Sequence, residues 1–181
     1  YFSKALKASI PNNQLKELES NGVYPDKANA IGGSISYSRP LNNRISTSIS
    51  LNGQYAFNPL LQTMRFGLGS DQGLFGTPSQ IITGDSGWNA LLSLPIKTLK
   101  TKKSSFFIKP FLSFGGVTNL SKESQNTDHI GSTGLILSLK NKNFSNEIGI
   151  TNTFWKENNK DGIWDKWDLG KGLYWRATFF F

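Results

Sequence analysis

The feature that most constrains this chain is a regular alternation of apolar residues with small polar ones. It is clearest between Arg44 and Tyr55, where one set of alternate positions is largely apolar and the other is Ser, Asn or Gln. The first set is Ile45, Thr47, Ile49, Leu51, Gly53 and Tyr55, and the second is Ser46, Ser48, Ser50, Asn52 and Gln54. Successive side chains of a β-strand point to opposite faces of its sheet. The alternation therefore predicts a strand with one apolar and one polar face.

The same alternation recurs along most of the chain. Six further strands are predicted at 31–38, 88–96, 106–114, 133–140, 144–154 and 173–181. Most of the seven segments are roughly 9 to 12 residues long, close to the 9–11 residues of a membrane-spanning strand. The sequence therefore predicts an all-β, antiparallel protein.

The segments between the predicted strands alternate in length. Short turns are predicted at 40–43, 97–104 and 141–143, and longer polar stretches lie at 57–86, 115–129 and 155–170. Short turns at one end and long loops at the other are typical of outer-membrane β-barrels. The polar strand faces are rich in Ser, Gly, Thr and Asn, which suits a water-filled lumen, and aromatic residues cluster at strand ends. We favour the membrane barrel over a soluble β-sandwich, whose strands also alternate.

Composition excludes several classes of protein. There are no cysteines, which excludes disulfides, and the single histidine disfavours a zinc hydrolase. The excess of 20 Lys and Arg over 12 Asp and Glu lies mainly in short stretches such as 97–103 and 140–143, without a nucleic-acid recognition motif. No run of about 18 apolar residues is present, so no helical membrane span is predicted. We expect no nucleic-acid partner.

The sequence motifs that could indicate a catalytic or metal-binding site are weak. His129 follows Asp128 without a nucleophile in a motif context, which disfavours a catalytic dyad. A loop rich in carboxylates does not have the spacing of an EF-hand, so we interpret it as solvated. Its acidic and amide residues are Asn159, Asp161, Asp165 and Asp168. We expect no enzymatic activity, no metal and no cofactor.

Three stretches resemble one family. The first is 66–76 with Gly84-Asp85-Ser86-Gly87-Trp88, the second is 109–119 (KPFLSFGGVTN), and the third is the terminal 176–181 (RATFFF). Together they are similar to the C-terminal barrel of two-partner-secretion transporters, the haemolysin-activator family. That family belongs to the superfamily of outer-membrane insertases and translocators. The resemblance covers residues 29–181 in register.

The resemblance implies an architecture and a function. Residues 29–181 would form the last seven, or with part of 1–28 the last eight, strands of a barrel of roughly sixteen strands. Residues 1–28 would otherwise be an external loop, and 57–86 would be a long loop folded into the barrel. The protein would let an exported protein cross the outer membrane of a Gram-negative-type cell. Its partners would be that exported protein, the lipid, the barrel-assembly machinery, the remaining strands and the periplasmic POTRA domains.

The resemblance also implies site residues. The tip of the inward-folded loop would be Leu74, Phe75, Gly76 and Thr77. The flanks of that loop would be Gly69, Gly84, Asp85, Gly87 and Trp88. The strand positions in the lumen that face the tip would be Phe111 and Ser113. The signal for assembly would be Phe179 and Phe181 in the terminal strand.

The chain departs from the family at two linked positions. In the family an arginine at the loop tip pairs with an aspartate on the strand, whereas this chain has Phe75 and Ser113 at those positions. Losing one partner of a buried ion pair costs roughly 3–5 kcal/mol, because a charge is left unpaired. Losing both partners avoids that cost. Because Phe111 and Ser113 share a strand face, we expect Phe75 to pack on Phe111.

Two alternative interpretations remain. A small eight-stranded barrel with a structural or adhesive role would use Tyr1–Ile10 as its extra strand. A soluble β-sandwich would be a binding module. We favour the C-terminal transporter barrel over both alternatives.

Overall fold

The computed structural model describes residues 28–101, 103–120, 127–157 and 171–180. The described residues form ten β-strands and two short 3₁₀ helices, Gln62–Met64 and Ser70–Gln72. The strands are β1 (Ala30–Pro40), β2 (Ser46–Ala56), β3 (Phe66–Leu68), β4 (Ile82–Gly84), β5 (Ser86–Ser93), β6 (Ile96–Lys100), β7 (Ser104–Thr118), β8 (Thr127–Asn141), β9 (Phe144–Glu157) and β10 (Lys171–Phe179). The predictions for 1–27 and for the carboxylate-rich loop lie outside these ranges.

One antiparallel sheet dominates the structure. Its strands lie in the order β1-β2-β5-β7-β8-β9-β10, and β6 pairs with the first part of β7. This confirms the predicted all-β, antiparallel class. Across the described ranges no pairing joins β1 to β10, so both are edge strands here. The described part of the chain contains no helix that is both long and apolar enough to cross a membrane.

The two faces of the sheet differ in chemistry, as the alternation predicts. In β8, Leu135 and Leu137 are 38% and 54% exposed, whereas Ile136 and Ser138 between and beside them are almost fully buried. The first face, here called the exposed apolar face, includes Ile31, Ile35, Ile49, Leu51, Trp88, Leu92, Leu112, Leu135, Leu137, Ile148, Ile150, Leu173, Trp175 and Phe179. The second, here called the covered face, includes Gln54, Asn89, Leu91, Phe111, Ser113, Ser132, Ile136, Ser138, Thr151 and Tyr174.

The predicted strand over 88–96 is wrong in one respect, because it is interrupted. Its two parts are β5 and β6, separated by Leu94 and Pro95. Pro95 has no amide hydrogen to donate to a strand ladder. Its carbonyl instead accepts a hydrogen bond from the Ser46 amide at 3.0 Å, and the Leu94 amide donates to the Pro110 carbonyl. The predicted turn 97–104 is correspondingly shorter, because Ile96–Lys100 is strand.

The segment 57–86 was expected to be a loop, and it contains secondary structure of its own. Its ends form the hairpin of β3 and β4, in which Phe66 pairs with Gly84 and Leu68 with Ile82. Five apolar side chains form a core between this segment and the sheet: Leu68, Leu74, Ile82, Val117 and Ile130. The segment therefore packs on the covered face.

The β-sandwich alternative does not fit the described residues. Their only second sheet is the β3–β4 hairpin, with three residues in each strand. That hairpin contacts β5 and β7 on the covered face and leaves the exposed apolar face open. A sandwich would instead bury the apolar face of one sheet against another sheet.

Candidate functional site

The middle of the 57–86 segment is a tight turn over the tip residues Leu74–Thr77. Leu74 is fully buried in the core, and the hydroxyl of Thr77 donates to the Leu74 carbonyl at 2.8 Å. Gly76 has a φ of +85°, in the left-handed region that favours glycine. A Cβ atom there would collide with the side chain of Thr151 on β9. The turn therefore lies directly against the sheet.

Phe75 is clamped between two aromatic rings. Its ring centroid lies 5.0 Å from that of Phe111 on β7 and 5.0 Å from that of Tyr174 on β10, both in edge-to-face arrangements. Each such pair is worth about 0.5–1.5 kcal/mol beyond burial. The hydroxyl of Ser132 on β8 also donates to the Phe75 carbonyl at 3.1 Å. We call Phe75, Phe111 and Tyr174 the aromatic clamp.

Ser113 lies two residues beyond Phe111 on the same face and is 1% exposed. Within the described residues its hydroxyl has no hydrogen-bond partner. The tip and the strand therefore meet through neutral side chains, Phe75 and Phe111.

Glycines on the covered face make room for the tip. Phe111, Gly134, Thr151 and Gly172 are successive partners across β7 to β10. A Cβ atom on Gly172 would lie 2.6 Å from the carbonyl oxygen of Gly76, and one on Gly134 would lie 2.8 Å from the Phe111 ring. Both distances are below van der Waals contact. Gly172 therefore leaves the space that the tip fills, and Gly134 leaves the space that the Phe111 ring fills.

Asp85 fastens the base of the segment. Its carboxylate is fully buried and accepts hydrogen bonds from two backbone amides, Leu60 at 2.8 Å and Leu120 at 2.7 Å. The Arg65 guanidinium lies 3.4 Å from the same carboxylate. Asp85 therefore joins both ends of the 57–86 segment to the connection between β7 and β8. Hydrogen bonds to a charged group are among the strong ones.

Amide side chains of the covered face hold the segment between its base and its tip. Gln54 of β2 donates to the carbonyls of Met64 and Asp85, at 2.9 and 3.0 Å. Asn89 of β5 is 2% exposed, donates to the Gln72 carbonyl and accepts from Asn52 at 2.8 Å. The alternation predicts Gln54 and Asn52 on the polar face, but it carries no signal for these contacts.

The other expected flank residues have packing positions. Gly84 faces Val117, Gly87 faces the Phe66 ring, and Gly69 faces the backbone of Pro78 and Ser79. Trp88 is 43% exposed on the other face of the sheet, so it does not touch the tip from inside. Phe179 is also on the exposed apolar face, where its ring lies 5.6 Å from Phe144. Phe181 lies outside the described residues.

Nothing in the described ranges forms a metal centre, since no three His, Asp or Glu side chains converge there. His129 and Asp128 are inside β8, paired with Gly116 and Val117. The contacts of the base and the tip can hold the 57–86 segment in place against the sheet. A segment of about thirty residues is fixed at one end by a buried carboxylate and at its middle by ring contacts.

No family model matches the sequence, and no curated protein matches it. Among solved structures the chain is similar to CdiB from Escherichia coli, with a TM-score of 0.68 and 17% sequence identity. The match covers 83% of this chain and 27% of CdiB, so the chain spans about a quarter of the length of that structure. At this identity the likeness shows a shared fold.

The first testable prediction concerns the aromatic clamp. A double-mutant cycle of Phe75→Leu and Phe111→Leu, measured by equilibrium unfolding in detergent micelles, should give a coupling of about 0.5–1.5 kcal/mol. The matched control pairs Phe75→Leu with Phe106→Leu, because Phe106 lies on the opposite face of β7 and is 38% exposed. That control cycle should be additive within about 0.5 kcal/mol. Equal coupling in both cycles would show that Phe75 does not contact Phe111.

The second prediction concerns the base of the segment. Asp85→Asn keeps the size of the side chain and removes its charge, leaving the Leu60 and Leu120 amides with weaker acceptors and Arg65 unpaired. The loss should be about 1.5–3 kcal/mol. Asp71→Asn is the control, because Asp71 is exposed and near the tip. Limited proteolysis should cut 57–86 faster in Asp85→Asn alone, and equal cutting rates in both variants would exclude a fastening role for Asp85.

Proposed function

We propose that this chain is the C-terminal part of an outer-membrane β-barrel of the two-partner-secretion type, through which an exported protein passes. The observation that carries the proposal is the 57–86 segment fastened against a polar sheet face, on a fold shared with CdiB. CdiB is a two-partner-secretion transporter of the outer membrane. The haemolysin-activator subtype is part of the proposal and is supported by the sequence resemblance.

The exposed apolar face supports a membrane location. Ile35, Ile150 and Leu173 are each at least 65% exposed, and no described element covers them. A patch of this extent in water carries a large hydrophobic cost, whereas lipid acyl chains would solvate it. In a bilayer the free edges of β1 and β10 require further strands, because unpaired backbone groups are costly there. The remaining barrel strands would supply those partners, and the POTRA domains would complete the transporter.

The covered face supports the passage of a polypeptide. Its side chains are mainly Ser, Thr, Asn, Gln and Gly, which offer hydrogen bonds without a strong preference for one sequence. The 57–86 segment lies on this face, so an exported chain following the face has to pass or displace it. The barrel would supply a path and a gate, with no covalent chemistry and no cofactor.

The two fastenings differ in strength, which suggests how the gate would move. The clamp is held by two ring contacts worth about 0.5–1.5 kcal/mol each. The base is held by a buried carboxylate with two amide donors and a guanidinium, and hydrogen bonds to a charged group contribute about 1.5–3 kcal/mol each. The tip would therefore leave the sheet before the base, with Asp85 as the fixed end.

Phe179 would belong to the assembly signal read by the barrel-assembly machinery. It lies on the exposed apolar face at the end of β10, where the Phe180 amide donates to the Asn143 carbonyl at 2.9 Å. Phe181 would complete this signal.

The test is secretion by the source organism. Deleting the gene should remove at least one protein from the culture supernatant, and the wild-type gene should restore it. A variant lacking residues 70–80 should reach the outer membrane and restore release at least as fast as the wild-type protein, because the tip that obstructs the path is gone. Identical supernatants with and without the gene, with the protein in the outer membrane, would contradict transport and favour the structural barrel.

A further inference from the structure

The charged side chains of β6 to β10 lie on one face of the sheet. Strand pairing puts Lys97, Phe107, Ser138, Glu147 and Arg176 in one row across the five strands. The next row towards the short turns contains Lys100, Ser105 and Lys140. Lys109 lies one row in the other direction, on the side of the aromatic clamp.

These positions are strongly basic. The half of the covered face nearest the short turns contains five cations and one carboxylate among the described residues. The cations are Lys97, Lys100, Lys109, Lys140 and Arg176, and the carboxylate is Glu147. In the same rows the neighbouring positions of the other face are uncharged, among them Leu99, Phe106, Leu137, Ile148 and Trp175. We call the five cations the basic rows.

Glu147 is already engaged. Its carboxylate pairs with the Lys109 ammonium and accepts from the Tyr174 hydroxyl at 3.4 Å. Lys109 and Glu147 are 26% and 16% exposed, whereas Lys100, Lys140 and Arg176 are exposed. Lys100, Lys140 and Arg176 are therefore open to a ligand that approaches along this face, and Lys97 is half-buried.

We propose that the basic rows bind an acidic, extended segment of the exported protein; the identity of this ligand rests on the proposed function. The spacing supports a peptide. Cations occur in three successive rows, two residues apart along the strands and so about 6.6–6.8 Å from row to row. Carboxylates at alternate positions of an extended chain repeat at the same interval. Such a chain lying along the strands would meet open cations in the two rows nearest the short turns, and in the third row it would meet Lys109, which Glu147 already pairs.

In membrane pores, rings of charged side chains select ions, and basic side chains favour anions. Here the same chemistry would favour polypeptide carboxylates on their way to the clamp. Glu147 acts against this binding, because it neutralises Lys109 and repels an incoming carboxylate. The basic rows therefore contain a carboxylate that competes with the ligand. Removing its charge should strengthen binding, whereas removing a cation should weaken it.

The experiment measures peptide binding to the purified protein in detergent by fluorescence anisotropy. The probe is a labelled decapeptide of alternating Glu and Ser, and its neutral counterpart has Gln in place of Glu. The acidic peptide should bind the wild-type protein at least tenfold more tightly than the neutral one. Lys100→Gln and Lys140→Gln should each weaken binding about two- to fivefold, in line with exposed ion pairs. Glu147→Gln should strengthen it.

The matched control is Lys142→Gln, because Lys142 is exposed in the adjacent turn and outside the rows. It should leave binding unchanged. Equal losses for Lys140→Gln and Lys142→Gln would overturn the site, since they would indicate general attraction to a basic protein. Equal affinity for the two peptides, or displacement by millimolar inorganic phosphate at constant ionic strength, would also overturn it, the latter by indicating a small-anion site.

Binding and secretion separate the two proposals. If the peptide fails to bind while the organism still secretes its protein in a gene-dependent manner, the basic rows are not a peptide site and the proposed transport stands. If the peptide binds but no secretion depends on the gene, the proposed transport fails, and with it the exported protein as the ligand.

Discussion

The structure depends on one constraint, which is that each strand residue belongs to one of two faces. In β7 to β10 apolar outward positions alternate with covered-face positions that are mostly polar, small or aromatic, and the aliphatic exceptions Val117, Ile130 and Ile136 are buried. The exposed apolar face then requires an apolar surrounding, and the covered face is left free to hold the 57–86 segment. The fold, the attachment of the 57–86 segment and the proposed path all follow from this division of the strand residues into two faces.

The tip is fastened by neutral side chains. Phe75 and Ser113, where the sequence resemblance implies an ion pair, carry no charge. Phe75 instead meets Phe111 and Tyr174. Gly172 leaves space for the tip, and Gly134 leaves space for the Phe111 ring. The ion pairs lie elsewhere. One involves Asp85 in the base, and the other joins Lys109 to Glu147 beyond the clamp. Charged regions lie on both sides of the tip, but the tip itself is neutral. Moving it away from the sheet therefore costs little electrostatic free energy.

Alternation alone predicted the fold class and the facing of Leu135, Leu137, Phe111 and Ser113, because strand parity is local. It did not predict the break at Leu94–Pro95 or the length of β7, where Gly115 and Gly116 interrupt the apolar pattern. The β3–β4 hairpin was missed because each strand has only three residues. Tyr174 and the partners of Asp85 were missed because these contacts join residues far apart in sequence.

Two neighbouring residues of β1 test directly whether one face of the sheet lies in lipid. Ile35 and Ser36 are both exposed, and they pair with Leu51 and Ser50 on opposite faces of the sheet. In refolding titrations into lipid vesicles, Ile35→Arg should cost about 2–4 kcal/mol, because it places a charge in the hydrocarbon. Ser36→Arg should cost less than about 1 kcal/mol, because its face is wet. Equal costs for the two variants would contradict a sheet with one face in lipid.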